Sequence, residues 1–167
     1  MQPASETILG IDPGLNVTGY GVIRSAKNHP ELVEAGIIRT PPRASLENRL
    51  LDLQKSLHEV IEAHRPGVVA LEQLYSHYQR PRTAILMGHA RGVICLVAAQ
   101  AGLCIESFEP TKVKKMMTGN GHAPKEQMQL AVKLQLNLKC VPEPADVADA
   151  LAIALCQFQL GNMQVKL

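Results

Sequence analysis

The sequence lacks the marks of several large classes of protein. Its four cysteines show no Cys-x-x-Cys spacing, which argues against a zinc site or a disulfide framework and favours free thiols in a reducing compartment. Three of them (Cys95, Cys104 and Cys156) lie in apolar surroundings that predict burial. No apolar segment near the start reads as a signal peptide, and the longest uncharged stretch is shorter than the roughly 18 residues that cross a bilayer. We therefore expect a cytoplasmic protein without a membrane span.

An excess of charge of one sign is also lacking. Seventeen Lys and Arg stand against fifteen Asp and Glu, and the net charge of +2 does not by itself indicate a nucleic-acid-binding protein. The charge is nevertheless uneven along the chain. Seven basic residues and only two acidic ones lie in residues 77–125, while the remainder is net negative. The small total therefore combines a basic segment with an acidic remainder.

The length and the hydrophobic pattern predict one α/β domain. A chain of 167 residues has room for a single domain, which we assign to residues 1–160, with 161–167 as a possible flexible tail. Three early strands with short connections predict an antiparallel meander. Further strands alternate with helices, which predicts a mixed five-stranded sheet flanked by helices. The predicted strands are 7–12, 18–24, 31–40, 68–72 and 103–108, and the main helices are 45–65, 82–101, 111–117, 124–136 and 146–159.

Two glycines stand on one face of the predicted helix 82–101. Gly88 and Gly92 are four residues apart, so that some element should pack closely against this face. The sequence leaves two alternatives open, which are packing of the helix on the sheet and packing against the same helix of a second copy.

Four acidic residues follow or interrupt apolar segments. Asp12 ends the apolar run 8–11, Glu72 ends the run 68–71, and Asp146 and Asp149 lie three residues apart at the start of the last helix. Each could be an ordinary turn or capping residue. Binding sites in open α/β sheets, however, form beyond the carboxyl ends of central strands. We therefore expect the four carboxylates to converge.

A convergence of this kind restricts the chemistry. Several anions in a cleft repel one another unless a proton or a cation relieves the repulsion. Oxygen ligands without His or Cys favour Mg²⁺ or Mn²⁺ over zinc. Two such ions support in-line displacement at phosphorus, where one activates water and the other stabilises the leaving 3′ oxygen. No Ser-His-Asp set offers a competing nucleophile.

Several motifs resemble those of one family, in the same order. Gly-Ile-Asp-Pro-Gly at 10–14 and Thr-Gly-Tyr-Gly-Val at 18–22 are similar to the opening of the RuvC family of bacterial Holliday-junction resolvases. Leu-Glu-Gln-Leu-Tyr at 71–75, Gly-His-Ala-Arg-Gly-Val at 88–93 and the segment 145–152 resemble its later motifs. The resemblance covers nearly the whole chain.

The resemblance implies a ribonuclease-H-like fold and a definite activity. It implies a homodimer that makes paired, symmetric, Mg²⁺-dependent nicks in four-way junction DNA, leaving 5′-phosphate and 3′-hydroxyl ends, in partnership with the RuvA–RuvB branch-migration complex. By motif position, the catalytic and metal-binding residues are Asp12, Glu72, Asp146 and Asp149. About two Mg²⁺ ions per subunit are implied, and Mn²⁺ can substitute.

The resemblance and the basic segment also indicate residues that contact DNA. Tyr75 stands where the family has an aromatic residue that stacks on unpaired bases, although a core aromatic is the alternative. Lys114 and Lys125 align with lysines near the scissile phosphate. Arg82 and Lys115 are further candidates from the basic segment. The segment 77–83 and His89 depart from the family pattern, which leaves the preferred cleavage sequence open.

Two other functions compete with the nuclease. An actin-like phosphotransferase or ATPase would use Asp12 in a phosphate-binding turn, but such enzymes need two domains around the nucleotide and the chain has room for one. A non-catalytic DNA-binding module would treat the four acids as caps and turns.

Overall fold

Five strands form one mixed sheet with helices on both faces. The computed structural model describes residues 7–26, 29–74 and 80–164. The strands are β1 (Thr7–Asp12), β2 (Val17–Ala26), β3 (His29–Arg39), β4 (Val68–Glu72) and β5 (Cys104–Phe108). The helices are α1 (Leu46–His64), α2 (Pro81–Gln100), α3 (Pro110–Thr118), α4 (Lys125–Gln135) and α5 (Ala145–Gln164).

The strand order is β3-β2-β1-β4-β5, which confirms the predicted mixed sheet. β1 pairs with β2 and β2 pairs with β3 in the antiparallel sense. β4 pairs with β1 and with β5 in the parallel sense. The carboxyl ends of β1, β3, β4 and β5 therefore lie at one edge of the sheet.

The alternation of side chains along β1 divides the molecule into two cores. Leu9 and Ile11 pack with α1 and α2, while Ile8 packs with α3, α4 and α5 on the other face. Gly10 and Asp12 share the face of Ile8 by this period of two. The same period places Val68, Ala70 and Glu72 of β4 on the α5 face. Both strands thus direct their terminal acid to the same side.

Glycines in β1 and β2 let α5 lie directly on the sheet. A methyl group at Gly10 would collide with the backbone oxygen of Ala150, and one at Gly19 would collide with the backbone oxygen of Asp146. A methyl group at Gly21 would meet the side chain of Leu151 at 2.5 Å. We call Gly10, Gly19 and Gly21 the glycine track. Because α5 is buried along most of its length, this close packing joins its first turn to the centre of the sheet.

The structure corrects some predictions and leaves others as they were. Among the four free cysteines, Cys156 is buried, but Cys104 is exposed and Cys95 is partly exposed, because β5 is an edge strand and α2 covers only part of its face. α5 continues to Gln164, beyond the predicted end at 159. The domain boundary at residue 160 remains a prediction.

The Gly88/Gly92 face of α2 does not pack on the sheet. Among the described residues, no atom outside the helix lies within 4 Å of a methyl group placed at either glycine. Of the helices in the part of the chain that the structure describes, α2 is the one that is long and apolar enough to cross a membrane by length and composition alone. Its buried face, which includes Ile94 and Val97, belongs to the core on the α1 side of the sheet. The alternative of packing on the sheet is therefore excluded for the glycine face.

The glycine track predicts a steric effect on stability. We expect Gly10→Ala to lower the free energy of unfolding by about 1–3 kcal/mol or more, because the new methyl group meets backbone that cannot move without shifting α5. Gly161→Ala is the matched control, since that helical glycine has open space around it and gains helix propensity. Urea denaturation of both variants measures the difference, and an unchanged midpoint for Gly10→Ala would contradict the close packing.

Candidate active site

Asp12 and Glu72 lie side by side at the carboxyl edge of the sheet. The parallel register pairs Ile11 with Leu71, so the next residues of β1 and β4 are the two acids. Both side chains belong to the α5 face, and their carboxyl groups share a hydrogen bond. The sequence prediction that these two acids converge is borne out by this contact, and the register supplies its physical reason.

Asp146 and Asp149 approach the same point from the first turn of α5. Gly19 is the β2 residue paired with Asp12, and the backbone of Asp146 lies directly over it. The charges of Asp146 and Asp149 both act on Asp12, and that of Asp149 also acts on Glu72. The glycine track thus brings the two helix acids to the two strand acids.

Burial and mutual repulsion raise the pKa values of carboxyl groups in this cluster. Burial, followed by the charges of Glu72 and Asp149, raises the pKa of Asp12 to about 9. Burial also raises the pKa of Glu72, although the hydrogen bond from Asp12 and the charge of Lys114 act in the opposite direction. Burial and the neighbouring carboxylates therefore disfavour ionisation of the Asp12–Glu72 pair.

Two lysines offset part of the negative charge. Burial raises the pKa of Asp149, but the charge of Lys125, at the start of α4, lowers it. Lys114, on α3, acts on both Glu72 and Asp149 in the same direction. The charges of Lys114 and Lys125 therefore act on the acidic cluster, while their contact with DNA stays a prediction.

The other predicted DNA contacts lie elsewhere or outside the description. Lys115 is exposed on α3, and its charge is not among those that shift the acids. Arg82 is exposed in the first turn of α2. Tyr75 and part of the divergent segment 77–83 lie outside the described residues.

The donor set suits a hard divalent cation. All four side chains offer carboxylate oxygens, which Mg²⁺ and Mn²⁺ prefer, and a cation would relieve the repulsion that raises the pKa of Asp12. As the side chains stand, no three His, Cys, Asp or Glu within residues 7–26, 29–74 and 80–164 are gathered closely enough to ligate one ion. The chemistry and charge of the cluster therefore fit a metal site.

Sequence reasoning gave no role to two residues that support this edge. The Thr18 hydroxyl donates to the Gly14 carbonyl oxygen at 2.6 Å, which anchors the turn directly after Asp12. Arg91 donates from Nε to the backbone oxygen of Glu72 at 3.4 Å and from Nη2 to the Ser107 hydroxyl at 3.2 Å. Both residues lie within the quoted motifs 18–22 and 88–93, which was the signal available in the sequence.

A cleft lies on the opposite face of the sheet from the acids. Its volume is about 410 Å³, and it is lined by parts of β2, β3 and α1. At its wall, the Tyr20 hydroxyl donates to Glu34 at 2.7 Å, and His64 lies 3.1 Å from the same carboxyl group. These contacts link α1 to the sheet, and the cleft contains none of the four acids.

The fold and the acidic site together define a class. A meander followed by parallel strands, with acids at the ends of β1 and β4 and at the start of the closing helix, is the arrangement of ribonuclease-H-like nucleases. The family model described as crossover junction endodeoxyribonuclease RuvC matches residues 8–157. The chain belongs to this RuvC family.

Individual relatives support the same assignment. The chain is 60% identical to the crossover junction endodeoxyribonuclease RuvC of Rhodopirellula baltica over 95% of its own length and 89% of that protein. It is 46% identical to the RuvC of Pelotomaculum thermopropionicum, covering 96% and 97% of the two chains. The structure of Thermus thermophilus RuvC in complex with Holliday junction substrate superposes with a TM-score of 0.88 at 32% identity, over 95% and 96% of the chains. The yeast mitochondrial Holliday junction resolvase, at 16% identity, covers 99% of this chain and 86% of its own, and its TM-score of 0.65 concerns the fold alone.

The raised pKa of Asp12 predicts how the stability of the metal-free protein depends on pH. Folded Asp12 keeps its proton to about pH 9, whereas its ordinary pKa is 3.8, so the folded state binds more protons between these values. The group's contribution to stability is present below its ordinary pKa and is lost as the pH rises. In EDTA, the wild-type unfolding free energy should fall by up to about 1 kcal/mol per pH unit relative to Asp12→Asn between about pH 5 and 8.

The control is Asp52→Asn, which changes an exposed acid on α1 and should follow the wild-type dependence. Chemical denaturation at each pH gives the three curves. Parallel curves for wild type and Asp12→Asn would show that Asp12 is ionised in the folded protein.

Proposed function

We propose that the chain resolves four-way DNA junctions by hydrolysing one phosphodiester bond in each of two symmetric strands. Asp12, Glu72, Asp146 and Asp149 are the catalytic acids, and they hold divalent cations, Mg²⁺ or Mn²⁺, in about two sites per subunit. The observation that carries this proposal is the placement of Asp12 and Glu72 side by side at the carboxyl edge, with Asp146 and Asp149 near enough for their charges to act on Asp12. Membership of the RuvC family agrees with it.

The residues of the chain divide the chemical tasks. Hydrolysis joins a water oxygen to phosphorus and releases the 3′ oxygen, which leaves 5′-phosphate and 3′-hydroxyl ends. When bound, divalent cations supply the Lewis acidity that the attacking water and the leaving oxygen require. The four carboxylates hold these ions, and the glycine track and the Thr18-anchored turn keep the carboxylates in position. Lys114 and Lys125 offset the charge of the acids and offer ammonium donors to the substrate phosphate.

The remaining DNA contacts are proposed from the basic segment and from the family. Tyr75 stacks on unpaired bases, and Arg82 and Lys115 contact the backbone outside the acidic cluster. RuvA and RuvB are the proposed partners, and the proposed location is the cytoplasm. The domain is proposed to end near residue 160.

Two matched cuts require two matched sites, which a two-fold symmetric dimer provides. The exposed face of α2 supports a dimer interface there, because Ile85 (61% exposed) and Leu96 (54% exposed) flank the open glycines Gly88 and Gly92. Small residues between exposed apolar ones allow two helices to approach closely, and a helix that is apolar on both faces needs a second partner. We propose that α2 packs against α2 of a second copy.

The catalytic proposal is tested with Asp12→Asn. We expect cleavage of a synthetic four-way junction in Mg²⁺ to fall by at least about 100-fold, on the scale of losing an essential charge-stabilising group. Junction binding should be retained or improved, because the substitution removes a carboxyl group that repels phosphate when ionised. Gel analysis of nicked products and a binding titration in EDTA measure the two effects.

Asp52→Asn serves as the control and should cleave as the wild type does. Undiminished cleavage by Asp12→Asn would remove Asp12 from the catalytic set. A DNA-binding module without catalysis would show binding but no Mg²⁺-dependent nicks in the wild type.

The dimer proposal is tested with Leu96→Glu. A carboxylate buried beside the open glycines of α2 should convert the dimer to monomer at micromolar concentration, because a charge buried in an apolar interface without a partner is costly. Light scattering after size-exclusion chromatography measures the mass. Leu134→Glu is the matched control, since Leu134 is an exposed leucine (69%) on α4, outside the proposed interface. A wild-type monomer, or a dimer that survives Leu96→Glu, would contradict the proposed interface.

A further inference from the structure

A group of arginines lies at the same edge of the sheet as the acids, on the side away from Lys114. Because β1 and β3 are both antiparallel to β2, Arg39 at the end of β3 lies at the edge where Asp12 ends β1. Arg43 follows in the next turn, and Arg49 lies in the first turns of α1. A cleft of about 290 Å³ opens here, and its lining is Asn16, Val17, Arg39, Thr40, Pro41 and Pro42.

Arg49 is a buried cation behind this cleft. It is only 7% exposed, and it donates from Nε to the Thr40 hydroxyl at 3.0 Å and from Nη2 to the Asn16 side-chain oxygen at 2.5 Å. Both acceptors are neutral. Leaving a buried charge without a counter-ion is costly, and an arginine is not required merely to bridge two neutral oxygens.

The three arginines have no carboxylate partner in the part of the chain that the structure describes. The ion pairs found there join His58 to Glu62 and His64 to Glu34, and although Glu34 and Arg39 line the same 410 Å³ cleft, no ion pair joins these two residues. The acid nearest in sequence is Glu47, which accepts hydrogen bonds from Ser45 and from its own backbone amide. The positive charge at this cleft is therefore not neutralised by these residues, which favours an anion from outside.

The position of Arg39 matches a strand of DNA that passes through the acidic site. Asp12 pairs with Gly19, Gly19 pairs with Ile37, and Arg39 lies two residues further along the edge strand β3, where it also lines the 410 Å³ cleft. With strands about 4.8 Å apart and a rise of about 3.4 Å per residue, the Cα atoms of Asp12 and Arg39 are roughly 12 Å apart. That is the distance of a few nucleotides along a strand.

We propose that the cleft beside Arg39 binds a backbone phosphate of the DNA, a few nucleotides from the scissile phosphate. Arg39 makes the direct contact, Arg43 adds charge at the rim, and Arg49 holds the Asn16–Thr40 wall and raises the positive potential behind it. The inference rests on the proposed function, since it names a subsite of the same substrate. Lys114 and Lys125 would then contact the strand on one side of the acids and Arg39 on the other.

The first test compares Arg39→Ala with Arg24→Ala. Arg24 is an exposed arginine of the same sheet, but it pairs with Thr7 at the opposite edge. Binding of a synthetic four-way junction is measured in EDTA at several salt concentrations. We expect Arg39→Ala to weaken binding about 3- to 10-fold and to reduce the slope of log K against log salt by about 0.9, the value for one phosphate contact. Arg24→Ala should match the wild type.

The second test locates the phosphate. Junctions carrying one neutral methylphosphonate linkage at successive positions are titrated with wild type and with Arg39→Ala. One linkage a few nucleotides from the cut should weaken wild-type binding and have no further effect on Arg39→Ala, because the contact is already lost. Equal slopes for Arg39→Ala and Arg24→Ala, or equal sensitivity of wild type and Arg39→Ala at every linkage, would overturn the proposal.

Failure of the proposed function has a different signature. It would appear as a wild-type protein that makes no Mg²⁺-dependent nicks, whereas the phosphate site is scored by binding in EDTA alone. A coupled loss at one linkage would therefore support the site even if cleavage failed.

Discussion

The contact between α5 and the glycine track is the constraint on which the rest of the site depends. Because Gly10, Gly19 and Gly21 carry no side chain, the backbone of α5 lies directly on β1 and β2. The first turn of the helix then meets the carboxyl end of β1, and Asp146 lies over the strand residue that pairs with Asp12. Larger residues at the track would hold the helix, with its two acids, away from the strand acids.

The same packing creates an electrostatic problem that the molecule resolves locally. Four carboxylates at a partly buried edge disfavour ionisation, and burial together with the neighbouring charges raises the pKa of Asp12. Lys114 and Lys125 reduce the repulsion from one side, and Thr18 and Arg91 hold the backbone that carries the acids. The small net charge of the whole chain therefore does not reveal that acidic residues cluster at the site while lysines lie beside them.

Much of the fold could be predicted from sequence because its patterns are local. The runs ending in Asp12 and Glu72 are typical of buried strands, the short connections predict the meander, and the i, i+3 spacing of Asp146 and Asp149 places them on one helix face. The exposure of Cys104 and the open face at Gly88 could not be predicted, because they depend on which element covers each surface. The roles of Thr18, Arg91 and Arg49 depend on hydrogen bonds between segments distant in sequence.

The sequence by itself determined the element types, the family and the identity of the acids, because periodicity and motifs are properties of neighbouring residues. Only the tertiary structure decided that Asp12 and Glu72 are adjacent, since this requires the parallel register that pairs Ile11 with Leu71. It also decided that Arg39 lies at the same edge of the sheet as Asp12, because strand order and direction are fixed by pairing across the sheet. Charge and burial act through space, so the pKa values of the clustered acids depend on which distant residues the fold brings together.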